Sequence, residues 1–306
     1  MSVPRSLFVT GASGFVGRHL LGRLDPARFE RITLLTRRTI ELPGPLASDR
    51  RVEQVRGGLN RPARYAAAID DGTAVVHLAG RTGSAAPGEF ERANVEGTRH
   101  LLDAAETQGA RGFLFVSTIA VTFPRTSSYP YAESKRRAEQ IVRGSTLRWT
   151  IVRPTIVLGR GSPTWRKFRS LARAPLLLVP GDGRARIQPI HADDLAALLL
   201  RIVDEDRFEG EILELGGLDQ VTLAEFLRRA HERYHRRRGP AFRVPLAPGL
   251  AVLRAAERLV PLPLPVSASQ FTSFREDGIA EPNSLSEAAR GQLRGVDAML
   301  DELTEE

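Results

Sequence analysis

A glycine-rich turn near the amino end of the chain constrains the fold more than any other feature. Residues 7–17 read Leu-Phe-Val-Thr-Gly-Ala-Ser-Gly-Phe-Val-Gly. The apolar start predicts a buried strand, and apolar residues at helical spacing after it predict a helix that begins within the turn. Glycines at 11, 14 and 17 permit a tight reversal, close approach to a ligand and close helix packing. Because free N–H groups at a helix start bind anions, a phosphate-bearing ligand is predicted.

Five further apolar runs predict strands that alternate with helices. They cover residues 31–38, 52–59, 74–80, 113–118 and 149–159. This alternation is typical of an α/β doubly wound parallel sheet with helices on both faces. Asn94 is expected to begin a helix, and His77, among apolar neighbours in a strand, is interpreted as a packed structural histidine.

Tyr131 and Lys135 form the strongest candidate for chemistry. They are four positions apart in a predicted helix after Pro130, so both side chains are expected on one face. The chain has four tyrosines and two lysines, which makes a chance pairing unexpected. A phenol with a pKa near 10 is a poor acid or base at neutral pH, but a nearby ammonium favours its phenolate.

Several motifs resemble, in order, those of the extended and atypical short-chain dehydrogenase/reductases, the epimerase/dehydratase family. They are Thr-Gly-Ala-Ser-Gly-Phe-Val-Gly at 10–17, His-Leu-Ala-Gly at 77–80, Asn-Val-Glu-Gly-Thr at 94–98, Tyr-Ala-Glu-Ser-Lys at 131–135 and Arg-Pro at 153–154. The resemblance covers about residues 7–227. It implies a Rossmann fold in residues 1–158, with 186–216 returning to it, and a smaller C-terminal substrate lobe in 159–185 and 217–306.

The resemblance also implies roles for individual residues. Tyr131 would be the catalytic acid/base, Lys135 would tune it and hold the nicotinamide ribose, and Thr118 would bind the substrate oxygen. The expected cofactor-binding residues are Thr10, Gly11, Ser13, Gly14, Phe15, Val16, Gly17, Arg37, Arg38, Gly58, Leu59, Leu78, Ala79, Gly80, Asn94, Val116, Ser117, Tyr131, Lys135, Arg153, Pro154, Thr155 and Val157. No metal site is expected.

The end of the second strand indicates which cofactor binds. A carboxylate there would bind the ribose 2′-hydroxyl and repel a 2′-phosphate. The chain instead has Arg37 and Arg38, with no acid between Ile32 and Ile40. NADP(H) is therefore favoured, with NAD(H) as the alternative. Gly58 stands where the family usually has an aspartate that meets the adenine.

Two departures from the family leave the function open. Thr118 and Tyr131 are 13 positions apart, where sugar-nucleotide enzymes have a longer loop, and Thr122 replaces a common tyrosine. Both features resemble those of atypical members of the family, which include small carbonyl reductases and relatives of a complex I accessory subunit. The favoured prediction is hydride transfer to or from a carbinol or carbonyl, by a reductase or an epimerase. The alternative is a catalytically silent NADP(H)-binding accessory or sensor protein.

Composition and charge limit the partners. The net charge is +8, but arginines are scattered and aromatics make up only 6%, so no nucleic-acid surface is expected. No apolar run reaches the about 20 residues that span a bilayer, and no leader is evident. We expect a cytoplasmic monomer or homodimer that acts on a small-molecule substrate, without stable membrane insertion.

Three features of the C-terminal half are interpreted structurally. Asp193 is expected to cap a helix that covers residues 194–203. The basic run at 231–238 is interpreted as a solvated helix end, with an anionic partner as the alternative. Residues 245–266 predict an amphipathic helix over the substrate pocket, with membrane contact as the minor alternative. The tail from 281 predicts polar, partly helical structure.

Overall fold

The structure, a computed structural model, describes residues 5–83, 85–86, 88–124, 129–237, 239–244 and 276–305. The strands are β1 (Ser6–Thr10), β2 (Arg31–Thr36), β3 (Val52–Arg56), β4 (Thr73–His77), β5 (Gly112–Val116), β6 (Trp149–Pro154), β7 (Val157–Leu158), β8 (Leu177–Pro180), β9 (Arg186–Ile187), β10 (Ile190–His191), β11 (Glu211–Leu215), β12 (Val221–Thr222) and β13 (Ala241–Val244). The helices are α1 (Phe15–Arg23), α2 (Gly97–Thr107), α3 (Pro130–Arg143), α4 (Pro163–Arg173), α5 (Ala192–Asp204), α6 (Leu223–His235), α7 (Ser284–Ala289) and α8 (Val296–Thr304).

The chain divides into two compact units. The first comprises Met1–Thr118, Tyr131–Arg153 and Ala192–Glu214, and the second comprises Ile119–Pro130, Pro154–His191 and Leu215–Glu306. The segment that returns to the first unit therefore starts at Ala192, later than the sequence interpretation placed it.

A seven-stranded sheet with the order β11-β6-β5-β4-β1-β2-β3 forms the centre of the first unit. β1 pairs in parallel with both β2 and β4. Every residue of β1 and β4 is buried, which explains why their centres, residues 7–9 and 74–76, are continuous apolar runs rather than alternating ones. The predicted doubly wound fold is confirmed. Such sheets bind ligands at the carboxyl ends of the strands where the strand order reverses, here between β1 and β4.

The second unit is built around an apolar cluster and three two-stranded sheets. Trp165 and Phe168 of α4 pack their rings against Phe226 of α6 at centroid distances of 6.5 and 5.3 Å. The sheets pair β7 with β10, β9 with β12, and β8 with β13. Thr222 caps α6 by accepting a hydrogen bond from the backbone N–H of Glu225.

The sequence predictions for β6 and for the start of α5 were wrong. The strand expected over 149–159 is two strands in different sheets, because β6 ends at Pro154 and β7 pairs with β10. Asp193 lies inside the first turn of α5 rather than before it, and its carboxylate is 2.6 Å from Nδ1 of His19. Its role is to join α5 to α1.

The described C-terminal tail is partly helical, as predicted, and contains α7 and α8. The helix expected over 245–266 lies outside the described residues. Among the helices that the structure describes, none is long and apolar enough to cross a membrane.

Candidate active site

The glycine turn between β1 and α1 is shaped as an anion cradle. Gly11 has a φ of +77°, and a Cβ atom there would lie 2.5 Å from the backbone nitrogen of Ala79. A Cβ atom on Gly17 would lie 2.2 Å from the carbonyl oxygen of Gly11. Both positions therefore require glycine. Gly14 is the N-cap of α1, so the cap position has no side chain that could bond to the free N–H groups of the first turn. These features fit a dinucleotide pyrophosphate.

A buried hydrogen-bond chain runs from the glycine turn into α2. Thr10 Oγ1 is 2.7 Å from Nδ1 of His77, and Nε2 of His77 is 3.0 Å from Thr98 Oγ1. Thr98 Oγ1 donates to the carbonyl oxygen of Asn94. Because the Thr98 hydroxyl donates there, Thr98 Oγ1 must accept a hydrogen bond from Nε2–H of His77. Nδ1 of His77 therefore carries no hydrogen and accepts one from the Thr10 hydroxyl. Burial lowers the pKa of His77 to about 3, so the ring is neutral and structural, as predicted.

Asn94 continues this chain to the helix that carries Tyr131. Its Nδ2 donates to the Arg81 carbonyl and, at 2.8 Å, to Ser134 Oγ, while its Oδ1 accepts from the Arg81 N–H. Ser134 Oγ in turn donates to the carbonyl oxygen of Tyr131. Asn94 lies inside a π-helical turn, Glu91–Glu96, rather than at a helix start. Because both amide hydrogens are used within the protein, its side chain positions α3 and has none to donate to a cofactor.

Tyr131 and Lys135 are both on α3, where the predicted spacing brings them one turn apart. Lys135 is 4% exposed, donates from Nζ to the carbonyl oxygen of Val116 at 2.8 Å, and lies 3.9 Å from the ring centroid of Phe115. Burial lowers the pKa of Lys135 to about 7, and Glu139 partly opposes this shift. The half-buried Tyr131 ring is 6.2 Å from Phe90. The hydrogen bond from Lys135 to Val116 therefore joins the carboxyl end of β5 to the face of α3 that carries Tyr131.

Ser117 and Thr118 follow β5 directly. The Ser117 N–H donates to the Val152 carbonyl at 2.7 Å, which fixes the strand end. Its hydroxyl is buried and has no hydrogen-bond partner among the described residues, so it is available to a ligand. Thr118 is half-buried. Thr122 donates its hydroxyl to the carbonyl oxygen of Ile119 in a short 3-10 turn.

The Arg-Pro segment at the end of β6 uses its polar side chains within the protein. Arg153 pairs with Glu139 at 2.7 Å and with Glu214 at 3.3 Å. Thr155 donates its hydroxyl to the Gln188 carbonyl. Contact between this segment and a cofactor would therefore come from the backbone of residues such as Pro154 and Val157.

An arginine-lined cavity of about 600 Å³ lies beyond β2 and β3. Its lining residues are Arg37, Arg56, Gly57, Gly58, Asn60, Arg61 and Arg64. In the part of the chain that the structure describes, no carboxylate lines this cavity, and Arg38 is not one of its lining residues. Arg56, Arg61 and Arg64 were not predicted from the sequence as candidate site residues. Their clustering between 56 and 64 was the available signal, but only the pairing of Thr36 with Arg56 places them beside Arg37.

The chain is similar in sequence to known proteins over much of its length. Residues 7–216 match the NAD dependent epimerase/dehydratase family. A ceramide reductase from Caulobacter vibrioides is 35% identical over 193 residues, which are 63% of this chain and 59% of that protein. The mitochondrial NADH dehydrogenase (ubiquinone) 1 alpha subcomplex subunit 9 of Dictyostelium discoideum is 25% identical over 232 residues, 72% of this chain and 61% of that protein. The chain thus spans about three fifths of the length of both relatives.

A solved structure shares the fold across nearly the whole chain. It is a nucleoside-diphosphate-sugar epimerase from Staphylococcus aureus, with a TM-score of 0.75 at 19% identity, and the match covers 97% of this chain and 100% of that one.

Proposed function

Because the chain belongs to the NAD dependent epimerase/dehydratase family, we propose that it binds NADP(H) and transfers a hydride between the nicotinamide and a carbinol or carbonyl substrate. The observation that supports this most is the link between α3 and β5. Lys135 is buried and bonded to the end of the strand that Thr118 follows, and Tyr131 is one turn before Lys135. A buried ammonium is costly, and its position one helical turn from a tyrosine is the arrangement that acid/base chemistry needs.

The residues present fit a dinucleotide. The glycine cradle would hold the pyrophosphate, and the unsatisfied hydroxyl of Ser117 would face a polar group of the cofactor. The cofactor, when bound, supplies the hydride donor or acceptor.

The protein's own part in the reaction is to hold and move a proton. In reduction, Tyr131 would donate its phenolic proton to the carbonyl oxygen, and in oxidation its phenolate would accept the proton from the carbinol. Thr118 would donate a hydrogen bond to the same oxygen. The Lys135 ammonium would favour the phenolate, and its lowered pKa of about 7 implies that this charge is lost as pH rises above neutrality in the free protein.

The preference for NADP(H) over NAD(H) rests on the arginine-lined cavity. Guanidinium groups bind phosphate through paired hydrogen bonds, and no lining carboxylate would repel a 2′-phosphate. Arg37 and Arg64 contribute to this cavity, whereas Arg38 does not. The 2′-phosphate is therefore assigned to Arg37 together with cavity arginines rather than to the Arg37 and Arg38 pair that the sequence indicated.

A titration with NADPH and NADH tests the cofactor proposal. Wild-type protein should bind NADPH at least about tenfold more tightly than NADH. The double variant Arg37→Ser with Arg64→Ser should lose that preference, while Arg38→Ser, the matched control, should keep it. Equal affinity for the two cofactors in wild-type protein contradicts the assignment.

Reduction is favoured over epimerisation because the 35% identical relative is named a reductase. A panel of aldehydes, small ketones, a long-chain keto-lipid and UDP-sugars would test this. Net consumption of NADPH with a carbonyl substrate supports a reductase. Interconversion of UDP-sugars without net consumption identifies an epimerase instead.

The second candidate is a cofactor-binding accessory protein without chemistry. The similarity to a complex I subunit favours it, as does the short spacing between Thr118 and Tyr131. Such a protein would bind NADPH and leave every substrate of the panel unchanged.

A further inference from the structure

Two buried ionisable side chains of opposite sign lie one turn apart on α3. Lys135 and Glu139 are four positions apart in this helix and are 4% and 3% exposed. Residues at this spacing are neighbours on one helix face. Among the residues that the structure describes, Glu139 is the charged group whose field acts on Lys135, and it favours the ammonium. The charge of Lys135 therefore depends on the state of the Glu139 carboxylate.

Arg153 of β6 binds both oxygens of that carboxylate. Its Nε donates to Oε1 of Glu139 at 3.1 Å, and its Nη2 donates to Oε2 at 2.7 Å. Its Nη1 donates to Glu214 of β11 at 3.3 Å. The Arg153 side chain is 19% exposed, so solvent ions screen this pair only weakly. A carboxylate that is paired in this way has part of its charge neutralised, which weakens its attraction for the Lys135 ammonium.

The strands bring Lys135 and Arg153 to the same end of the sheet. Lys135 Nζ donates to the carbonyl oxygen of Val116, the last residue of β5, and the β5–β6 register places Val116 beside the residue that precedes Arg153. Burial, and then the charge of Lys135, lower the pKa of His77 on β4, so that ring is neutral. Tyr131, one turn before Lys135 on α3, is the group that the ammonium is proposed to tune.

We propose that Glu139 and Arg153 are positioning residues that set the charge of Lys135. Glu139 favours the ammonium, and Arg153 limits this effect because it neutralises part of the Glu139 charge. Burial lowers the pKa of Lys135 to about 7, as expected where a partly neutralised carboxylate offsets only part of the cost of burial. The consequence for Tyr131 rests on the proposed function, in which the Lys135 ammonium favours the phenolate.

Substitution separates this role from a purely structural one. Glu139→Gln and Arg153→Gln break the same two hydrogen bonds, so a structural pair predicts the same kind of change in both variants. The proposal predicts opposite changes in the charge of Lys135. Loss of the carboxylate removes the group that favours the ammonium, whereas loss of the guanidinium leaves a carboxylate with its full charge beside Lys135.

An NMR titration of the full chain measures this charge directly, because the sequence has only two lysines, Lys135 and Lys167. In protein labelled with carbon-13 at lysine Cε, Lys167→Arg leaves one signal, which belongs to Lys135. Its wild-type midpoint should be at about pH 7. Glu139→Gln should lower the midpoint by at least about one pH unit, and Arg153→Gln should raise it by at least about one pH unit.

Three further variants control for loss of the pair itself. Glu139→Asp keeps the negative charge on a shorter side chain, and Glu214→Gln removes the other carboxylate that binds Arg153. Both should leave the midpoint within about half a pH unit of wild type. Because Arg153→Gln leaves two buried carboxylates without a counter-charge, Arg153→Gln with Glu214→Gln repeats the test in a more stable protein. It should also raise the midpoint.

Kinetics distinguish this inference from the proposed function. In oxidation of a carbinol, kcat should rise with pH as the Tyr131 phenolate forms. This rise should occur at higher pH in Glu139→Gln and at lower pH in Arg153→Gln, because the ammonium lowers the pKa of the phenol. The inference is overturned if these two variants move the Lys135 midpoint in the same direction, or if neither variant moves it. Opposite shifts of the midpoint with an unchanged pH profile of kcat would support the inference and contradict the role proposed for Lys135 in catalysis.

Discussion

The first unit buries more polar side chains than the second. Its buried Asn94, His77 and several hydroxyls form a chain of hydrogen bonds from Thr10 to Tyr131, and its buried Lys135 bonds separately to the end of β5. The second unit is centred on an apolar cluster in which Trp165, Phe168 and Phe226 are almost fully buried. Burying polar groups costs stability unless each is satisfied, and it fixes their geometry. The difference indicates that the first unit is built for positioning and the second for packing.

This contrast also explains where sequence motifs occur. A hydrogen-bond chain accepts few substitutions because each donor needs its acceptor, whereas an apolar cluster accepts many side chains of suitable volume. The recognised motifs accordingly fall in the first unit and the segments next to it, and the last 80 or so residues carry none.

The largest expected effect comes from matched truncations in the two units. Phe226→Ala and Phe113→Ala each remove a fully buried ring and should each lower the free energy of unfolding by about 3–5 kcal/mol. Only Phe113→Ala should also weaken NADPH binding, since Phe113 packs in β5 at 5.9 Å from His77. Denaturant unfolding and NADPH titration of both variants measure this. Equal loss of NADPH affinity in both would remove the distinction between the units.

A smaller effect is expected when the hydrogen-bond chain is cut at Asn94. Asn94→Ala removes the hydrogen bonds that its amide makes with the Arg81 backbone and with Ser134 Oγ, and should cost about 1–3 kcal/mol of stability. It should also lower kcat, because α3 loses the hydrogen bond from Asn94 that positions it. Thr107→Ala removes an exposed hydrogen bond at the end of α2 and should change neither the stability nor kcat. An Asn94→Ala variant with unchanged kcat would limit this residue to folding.

The smallest effect concerns acid stability through His77. Its pKa in the folded protein is about 3, below the ordinary 6.5, so between these values the unfolded chain binds the extra proton and stability falls as pH falls. From pH 7.5 to pH 5 this loss is about 2 kcal/mol. His77→Gln should be less stable at neutral pH but should lack this part of the acid dependence. Identical pH slopes for wild type and variant would show that the ring is not held neutral.

The sequence predicted what short motifs can encode. Gly11 and Gly17 predicted a tight turn, and in the structure no Cβ atom fits at either position. The spacing of Tyr131 and Lys135 predicted that they share a helix face. Buried parallel strands were evident as apolar runs. These features depend on local geometry and on residue type alone.

The remaining features depend on pairing between distant parts of the chain. The contact of Thr10 with His77 joins residues 67 positions apart, and the arginine-lined cavity forms because β2 and β3 pair in register. The use of both Asn94 amide hydrogens inside the protein also follows from where Arg81 and Ser134 lie. No local pattern encodes these distances, so the sequence could show neither the internal hydrogen bonds of Asn94 nor the three further cavity arginines.

The central claim is that Tyr131 performs chemistry in a unit built to position it, and one substitution tests this directly. With a substrate found in the carbonyl panel, Tyr131→Phe should reduce kcat by about 10²–10⁴-fold, because the phenyl ring cannot transfer a proton. Its NADPH affinity should stay near that of wild type, and Tyr129→Phe, the matched control two residues earlier, should keep activity. A Tyr131→Phe variant that retains full kcat would contradict the account.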